Sequence, residues 1–167
     1  MKNTLFNTTS IKKATKNNQL NYFRCADDNI IIWNGKGTFA IMTKQIIFDD
    51  EIKTALPTFE QSELPRCIKN IFIEYQWETV PEIRKTNTLY QFPDDTIANI
   101  FYNSDSDYIT AINTELLNII KYIENYTIKQ LEIKSPVLFT DGLIKIVLMP
   151  LYNKDLKNNI LKDIGKN

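Results

Sequence analysis

The chain carries a similar pattern of apolar and polar positions in its first and second halves. Near the N-terminus, Phe6-Asn7-Thr8-Thr9-Ser10-Ile11 has the pattern of a strand end followed by a helix start, and Ile112-Asn113-Thr114-Glu115-Leu116-Leu117 repeats it at an offset of 106 residues. The apolar runs Ile30 to Gly35 and Val137 to Gly142 match at an offset of 107. Two matches at nearly the same offset indicate an internal duplication.

In each half, the pattern of apolar and polar positions predicts a strand, then a helix and then several strands. Asn7 and Asn113 are the expected N-caps, because an Asn side-chain oxygen accepts hydrogen bonds from the free amides of a first helical turn. The second helix is predicted over Thr114 to Glu124, where apolar residues recur at helical spacing. The other predicted elements are a short strand ending at Leu5 and Phe6, a helix from Thr8 to Lys16, strands at Asn21 to Ala26, Asn29 to Trp33, Thr38 to Phe48, Tyr108 to Ile112, Ile128 to Ile133, Val137 to Thr140 and Leu143 to Leu151, and hairpin turns at Asn34-Gly35 and Asp141-Gly142.

The segment between the halves, 49–105, does not take part in the duplication. Its four prolines predict long irregular loops. Within this segment, every second position from 71 to 77 is a large apolar residue, namely Ile71, Ile73, Tyr75 and Trp77. This period of two predicts one strand. The tail 153–167 has apolar residues at helical spacing, with lysines opposite, and predicts a short amphipathic helix.

The second half also resembles a known family. The segment Tyr108 to Ile120, the strand-like Lys129 to Ile133, Pro136 to Phe139 and Ile146 to Leu151 resemble the last domain of bacterial DNA sliding clamps. The resemblance implies an α+β fold with a clamp-like duplicated β-α-β-β-β motif and antiparallel sheets. One clamp-like domain would span 1–152, with halves 1–48 and 106–152, an irregular insert at 49–105 and a C-terminal helical tail at 153–167.

The same resemblance implies two functional surfaces. Helices of a clamp face DNA, and the lysines at matching positions are Lys12, Lys13, Lys16 and Lys121. Clamps bind partner peptides beside their last strand, and the matching positions here are Val147, Met149, Pro150 and Leu151. A solvated lysine face and an ordinary core strand are the alternative interpretations. Bacterial clamp subunits contain three such domains, whereas this chain can supply one.

Composition limits the chemistry that the chain can perform. The 20 basic and 20 acidic side chains give no net charge, so any nucleic-acid contact must come from a local patch. The absence of His excludes His-based nucleophile pairs and metal sites. We expect Cys25 and Cys67 to be free thiols in a reducing cytoplasm. No segment has the apolar length of a signal peptide or a membrane span, so we expect a cytoplasmic protein without membrane contact.

Acidic clusters are the remaining candidate for chemistry. They lie at Asp27-Asp28, Asp49 to Glu51, Asp94-Asp95, and Asp105 with Asp107. Paired carboxylates can hold Mg²⁺, but the neighbouring Asn, Pro and Ser residues favour turns. The Gly35-Lys36-Gly37 segment lacks the third glycine of a phosphate loop and is interpreted as a hairpin turn.

The sequence therefore favours a non-catalytic, DNA-associated accessory or protein-interaction module from a phage or mobile element. Its expected partners are another protein or a second copy, with weak non-specific DNA contact and neither cofactor nor metal. Two alternatives stay open. One is a small metal-dependent enzyme or effector that uses acidic residues, and the other is a self-assembling structural protein whose C-terminal helix mediates oligomers.

Overall fold

A computed structural model describes residues 5–15, 20–53 and 59–164, and the side chains up to residue 160. This part of the chain is α+β. Its helices are α1 (Thr8–Ala14), α2 (Gln45–Ile47), α3 (Arg66–Lys69), α4 (Thr114–Leu117) and α5 (Leu156–Ile164). Its strands are β1 (Leu20–Arg24), β2 (Asn29–Asn34), β3 (Phe39–Lys44), β4 (Phe59–Gln61), β5 (Arg84–Gln91), β6 (Ile97–Asn103), β7 (Tyr108–Asn113), β8 (Thr127–Lys129), β9 (Val137–Thr140) and β10 (Lys145–Leu148).

The strands form two sheets. The larger sheet has the order β4-β1-β2-β3-β10-β9-β8 and is antiparallel except where β4 joins β1. The smaller sheet, β5-β6-β7, is antiparallel throughout. Two isolated bridges connect the sheets, one between Glu82 and Lys129 and one between Ala111 and Leu151. The chain thus passes from the larger sheet to the smaller one just after β10.

The main core lies between the two sheets. Side chains along each strand of the larger sheet alternate between its two faces. On β2 and β3, the side chains of Ile30, Ile32, Phe39 and Ile41 point into the main core, whereas those of Ile31 and Ala40 point to the opposite face. The smaller sheet contributes Phe101 and Ile112 to the same core. Helices α1 and α4 add further buried side chains, and one edge-to-face ring pair joins the sheets, with the Phe101 and Phe139 centroids 6.0 Å apart.

A buried polar network also ties the sheets together. Gln130 is fully buried just after β8, and its side-chain oxygen accepts a hydrogen bond of 2.6 Å from the hydroxyl of Thr110 on β7. Its amide nitrogen donates to the carbonyl of Ser135 at 2.8 Å, and the hydroxyl of Tyr108 donates to the Gln130 carbonyl at 3.0 Å. Burial raises the pKa of Tyr108, so this hydroxyl keeps its proton at neutral pH.

Several predicted elements are confirmed. Asn7 caps α1 by accepting from the Ser10 amide, and Asn113 caps α4 by accepting from the Glu115 amide. The strands at β1, β2, β7 and β9 lie within two residues of their predicted ends, and α5 lies in the predicted tail helix. The predicted first helix ends at Ala14, and Lys16 lies outside the described residues.

The hairpin β2–β3 forms as predicted, but its geometry differs. Gly37 rather than Asn34 or Gly35 adopts the left-handed backbone, with φ of 64°. The buried Asn34 side chain closes the loop, because its oxygen accepts from the Thr38 amide at 2.9 Å and its nitrogen donates to the Thr38 hydroxyl at 2.7 Å. In the second hairpin the Asp141 carboxylate accepts from the amides of Leu143 and Ile144. A side chain therefore shapes each turn.

Two predictions about secondary structure are wrong. The strand expected from Ile71 to Trp77 is instead helical, since α3 continues through π-helical turns to Glu74 and a 3₁₀ turn spans Trp77–Thr79. The helix expected from Thr114 to Glu124 stops at Leu117. Beyond it, the Ile119 carbonyl accepts from the Asn7 amide and Ile120 forms a bridge with Phe6. Pairing with the first half thus replaces the continued helix.

Other predicted strands are shorter than expected. The strand from Thr38 ends at Lys44, where α2 and its π-helical continuation Phe48–Lys53 begin, and the strand from Ile128 ends at Lys129. The insert is also less irregular than predicted. It contains β5 and β6. The side chains of β5 are mainly polar, and this strand is stabilised by pairing with the mainly apolar β6.

The Gln130 network predicts a large effect of a single substitution. Gln130→Ala removes two side-chain hydrogen bonds and leaves buried polar partners unsatisfied, so the free energy of unfolding should fall by about 2 kcal/mol. Gln91→Ala is the matched control, because the Gln91 side chain is exposed and donates to the exposed Asp95 carboxylate; it should change stability by less than about 0.5 kcal/mol. Equilibrium unfolding in urea measures both, and equal losses would contradict the proposed role of the network.

Candidate partner-binding groove

An apolar groove lies on the face of the larger sheet that points away from the main core. Its volume is about 460 Å³. The strands contribute Trp33, Ala40 and Val147 to its lining. Helix α3 together with its continuation to Glu74, here called the α3 segment, contributes Ile68 and Ile71. The remaining lining residues are Asn34, Gly35, Lys36, Gly37 and Phe39 of the first hairpin, Pro65 and Cys67 at the start of α3, Pro136, and Met149 after β10.

The α3 segment stands against the sheet because its apolar side chains recur at helical spacing. Ile68 and Phe72 are buried four residues apart and pack with Trp33 and Val147. Pro65 precedes the first turn with an extended backbone, and its carbonyl accepts from the Lys69 amide at 2.9 Å. One wall of the groove is thus the α3 segment. The apolar side chains that hold this segment in place are the same ones that cover the sheet.

A tryptophan fixes the far end of this wall. The Trp77 indole donates to the Ile71 carbonyl at 2.7 Å, and the Lys129 ammonium donates to the Trp77 carbonyl at 2.9 Å. Lys129 belongs to β8, so this chain of contacts links the helical segment to the edge of the larger sheet. The groove therefore has a wall that is anchored to the sheet at both ends.

The groove has few polar groups. Asn34 uses its side chain within the hairpin, as described above. Lys36 is the charged residue of the lining, and it is exposed in the hairpin loop. Met149 is 37% exposed, so its side chain is accessible from the groove. The arrangement can bind apolar groups, with one positive charge at the rim.

The structure separates the four residues predicted for a partner-peptide pocket. Val147 and Met149 line the groove. Pro150 and Leu151 do not, because the chain crosses there to the smaller sheet. The Leu151 amide donates to the Ala111 carbonyl at 2.8 Å, and its side chain packs with Leu156 and Ile160 of α5. The tail helix thus lies on the outer face of the smaller sheet rather than on the groove.

Sequence reasoning missed most of the groove wall. The alternating pattern predicts a strand at Ile71 and Trp77, and it gives no role to Ile68. The available signal was Pro65 followed by apolar residues at 68 and 72, a helical spacing after a residue that favours the first turn. The alternation over Ile71, Ile73 and Tyr75 obscured it, although Ile73 and Tyr75 are exposed.

Two of the predicted DNA-facing lysines, Lys12 and Lys13, lie on α1, and Lys121 lies four residues after the end of α4. Helices α1 and α4 are held side by side by the Asn7–Ile119 backbone hydrogen bond and by the Phe6–Ile120 bridge. Lys12 and Lys13 are exposed on α1, and Lys121 is half-buried after α4. Lys16 lies outside the described residues. The exposed Glu115 on α4 reduces the positive charge of this surface.

The acidic clusters mostly lie in turns, as predicted. Asp28, Asp95 and Asp107 adopt left-handed backbones, and the Asp94 carboxylate accepts from the Thr96 amide. The prediction is wrong for Asp49 to Glu51, which lie in helical turns where the Glu51 carboxylate accepts from the Leu5 amide. Within 5–15, 20–53 and 59–164, no group of three or more Cys, Asp or Glu side chains is placed to hold a metal ion.

Two further findings concern the whole described chain. None of its helices combines the length and the apolar composition needed to cross a bilayer. Comparisons of the chain with protein-family models, with curated proteins and with solved structures find no match.

The groove predicts different reactivities for the two thiols. Cys67 is exposed in the groove lining, whereas Cys25 is partly buried, and its burial and the nearby charge of Asp27 raise its pKa. At pH 8, a maleimide should therefore label Cys67 at least about ten times faster than Cys25. Mass spectrometry of digested samples measures both rates, with Cys67→Ser leaving only the slow reaction. Equal rates, or faster labelling of Cys25, would show that the groove is closed to solutes.

Proposed function

We propose that the chain is a non-catalytic protein-interaction module with a sliding-clamp-like fold, and that its groove binds a short apolar segment of a partner protein. The observation that carries this proposal is the groove itself, an open apolar channel beside the strand β10. Its volume of about 460 Å³ falls within the usual range for ligand sites, roughly 300 to 1,000 Å³. An apolar segment would bury side chains against Trp33, Ile68 and Met149.

The order of strands supports a clamp-like duplication. Each half runs helix and three strands, α1-β1-β2-β3 and α4-β8-β9-β10, and these strands meet in the larger sheet as β1-β2-β3 followed by β10-β9-β8. Residues 107 positions apart face the same way. Ile32 and Phe139 point into the main core, whereas Ile31 and Leu138 point to the groove side. A reversed order of this kind is what a two-fold relation between halves produces.

The chemistry of the groove indicates what kind of segment fits it. Extended or helical peptides bind apolar clefts through a few anchoring side chains, while polar groups at the rim fix their orientation. Here the anchors would contact Trp33 and Met149, and the Lys36 ammonium at the rim favours an acidic residue next to them. The expected ligand is a short segment with two or more large apolar residues and an acidic neighbour.

A pair of lysine substitutions tests this function. Peptides of random sequence would be selected for binding to the unmodified chain and then measured on two variants. Met149→Lys places a charge in the groove and should weaken binding at least tenfold, about 1.4 kcal/mol. Leu143→Lys is the matched control on the same β9–β10 hairpin, since Leu143 is 69% exposed and outside the groove lining; it should leave the affinity unchanged.

Two outcomes would contradict the proposal. In the first, no peptide binds the chain above background. In the second, the selected peptides bind Met149→Lys as tightly as they bind the unmodified chain, which would place their site elsewhere. Unchanged unfolding curves for both variants would exclude a general loss of structure as the reason for weaker binding.

We further propose a weak, sequence-independent DNA contact through the helix pair α1 and α4. The observation that favours it is the side-by-side position of the two helices, with Lys12 and Lys13 exposed on one of them. Contacts of lysines with phosphates release counterions, so the logarithm of the affinity falls with the logarithm of the salt concentration by about 0.9 per contact.

Charge reversal tests the DNA contact. The double substitution Lys12→Glu and Lys13→Glu should abolish binding to a short duplex at low salt, as measured by fluorescence anisotropy. The matched control reverses Arg84 and Lys85, two adjacent exposed cations on β5 outside the helix pair, and should bind like the unmodified chain. If both double variants lose binding equally, net charge rather than this surface would account for the contact.

A further inference from the structure

We propose that Met149 is a modification site, at which a peroxide converts the thioether to a sulfoxide and thereby weakens the binding of a partner segment in the groove. The inference rests on the proposed function, because the affinity that changes is that of the groove. It concerns the sulfur chemistry of the lining, which peptide binding by itself does not use.

Two sulfur-bearing side chains line the groove from different elements. Met149 follows β10 on the sheet side, and Cys67 lies on α3 in the other wall. Both side chains are exposed. The sequence contains two cysteines and three methionines, so this one groove has two of the five sulfur atoms in its lining. A small oxidant that enters the groove therefore meets both.

The Met149 sulfur is accessible and has no part in the core. Met42 on β3 is partly buried and packs against the apolar cluster around Ile31, whereas Met149 belongs to none of the apolar clusters that the described residues form. The Met149 backbone is held separately, since its amide donates to the Thr38 carbonyl at 2.9 Å. Oxidation of the Met149 sulfur should therefore leave the fold unchanged.

The reaction is a two-electron oxidation in which hydrogen peroxide is the oxidant. The thioether sulfur attacks one peroxide oxygen, the O–O bond breaks and an S=O bond forms. The leaving hydroxide takes the proton of the transferred oxygen and becomes water, so sulfur is oxidised and peroxide is reduced. The product is a polar side chain where an apolar one stood, and methionine sulfoxide reductases reverse the step with a thiol as the reductant.

A sulfoxide at position 149 opposes the binding of an apolar segment. In the proposed function an apolar side chain of the segment contacts Met149, and the lining around it is mainly apolar, with Ala40, Ile68, Ile71 and Val147. A sulfoxide oxygen at this contact loses its water and faces apolar groups, which costs free energy that the thioether does not lose. We expect the affinity to fall at least about fivefold.

Cys67 gives a second response that can be separated from the first. Peroxide oxidises a thiol to a sulfenic acid and releases water, with the thiolate as the reactive form. Dithiothreitol reduces a sulfenic acid or a disulfide, but it leaves a methionine sulfoxide in place. After treatment with dithiothreitol, a lasting change in affinity thus reports on methionine alone.

Peroxide treatment of the unmodified chain tests the proposal. The chain is treated with hydrogen peroxide at pH 7, freed of peroxide and reduced with dithiothreitol. Mass spectrometry of digested samples should show Met149 oxidised at least about three times faster than Met42, because oxidation follows exposure. A peptide selected on the untreated chain should then bind at least about fivefold more weakly, and methionine sulfoxide reductases should restore its affinity.

The matched control is Met149→Leu, which is compared only with itself before and after peroxide. Its affinity should not respond to peroxide, although Met42 and Cys67 are still present. Unfolding in urea is measured on the same samples, and a loss of affinity that accompanies a shifted unfolding curve would count against the proposal.

Two further results would overturn the inference and leave the proposed function standing. One is faster oxidation of Met42 than of Met149, and the other is an unchanged peptide affinity of the chain with oxidised Met149. A failure of the proposed function looks different, since no peptide would then bind even the untreated chain, and the inference would fall with it.

Discussion

The antiparallel pairing of β3 with β10 is the contact on which the rest of the fold depends. It places Phe39 opposite Leu148 and Ile41 opposite Ile146, and it joins strands that are more than 100 positions apart in the sequence. All four side chains are almost fully buried in the main core. Without this pairing the larger sheet would divide into a four-stranded piece and a three-stranded piece, each with an exposed apolar face.

The same pairing determines where the candidate sites lie. On the opposite face it sets Ala40 beside Val147, and these two residues contribute to the groove lining together with the first hairpin and the α3 segment. Immediately after β10 the chain crosses to the smaller sheet through Leu151, which brings α5 to the outer face of that sheet. The groove and the packing of α5 on the smaller sheet thus follow from one strand and its continuation, on opposite sides of the core.

Features encoded by neighbouring residues could be predicted from the sequence, whereas features decided by distant contacts could not. The N-caps Asn7 and Asn113 and the hairpin at Asp141 depend on a side chain and the few amides that follow it. The end of α4 depends instead on Phe6, and β5 forms because β6 pairs with it. Of the groove lining, Val147 and Met149 are predictable from β10 and its continuation, but the opposite wall requires the position of α3 on the sheet.

A crystal structure of the chain with a peptide selected for binding tests the central claim most directly. The account predicts that the peptide lies in the groove, with apolar side chains against Trp33 and Met149 and an acidic group near Lys36. A peptide bound anywhere else, for example along β5 or in place of α5, would contradict the assignment of the groove as the partner site.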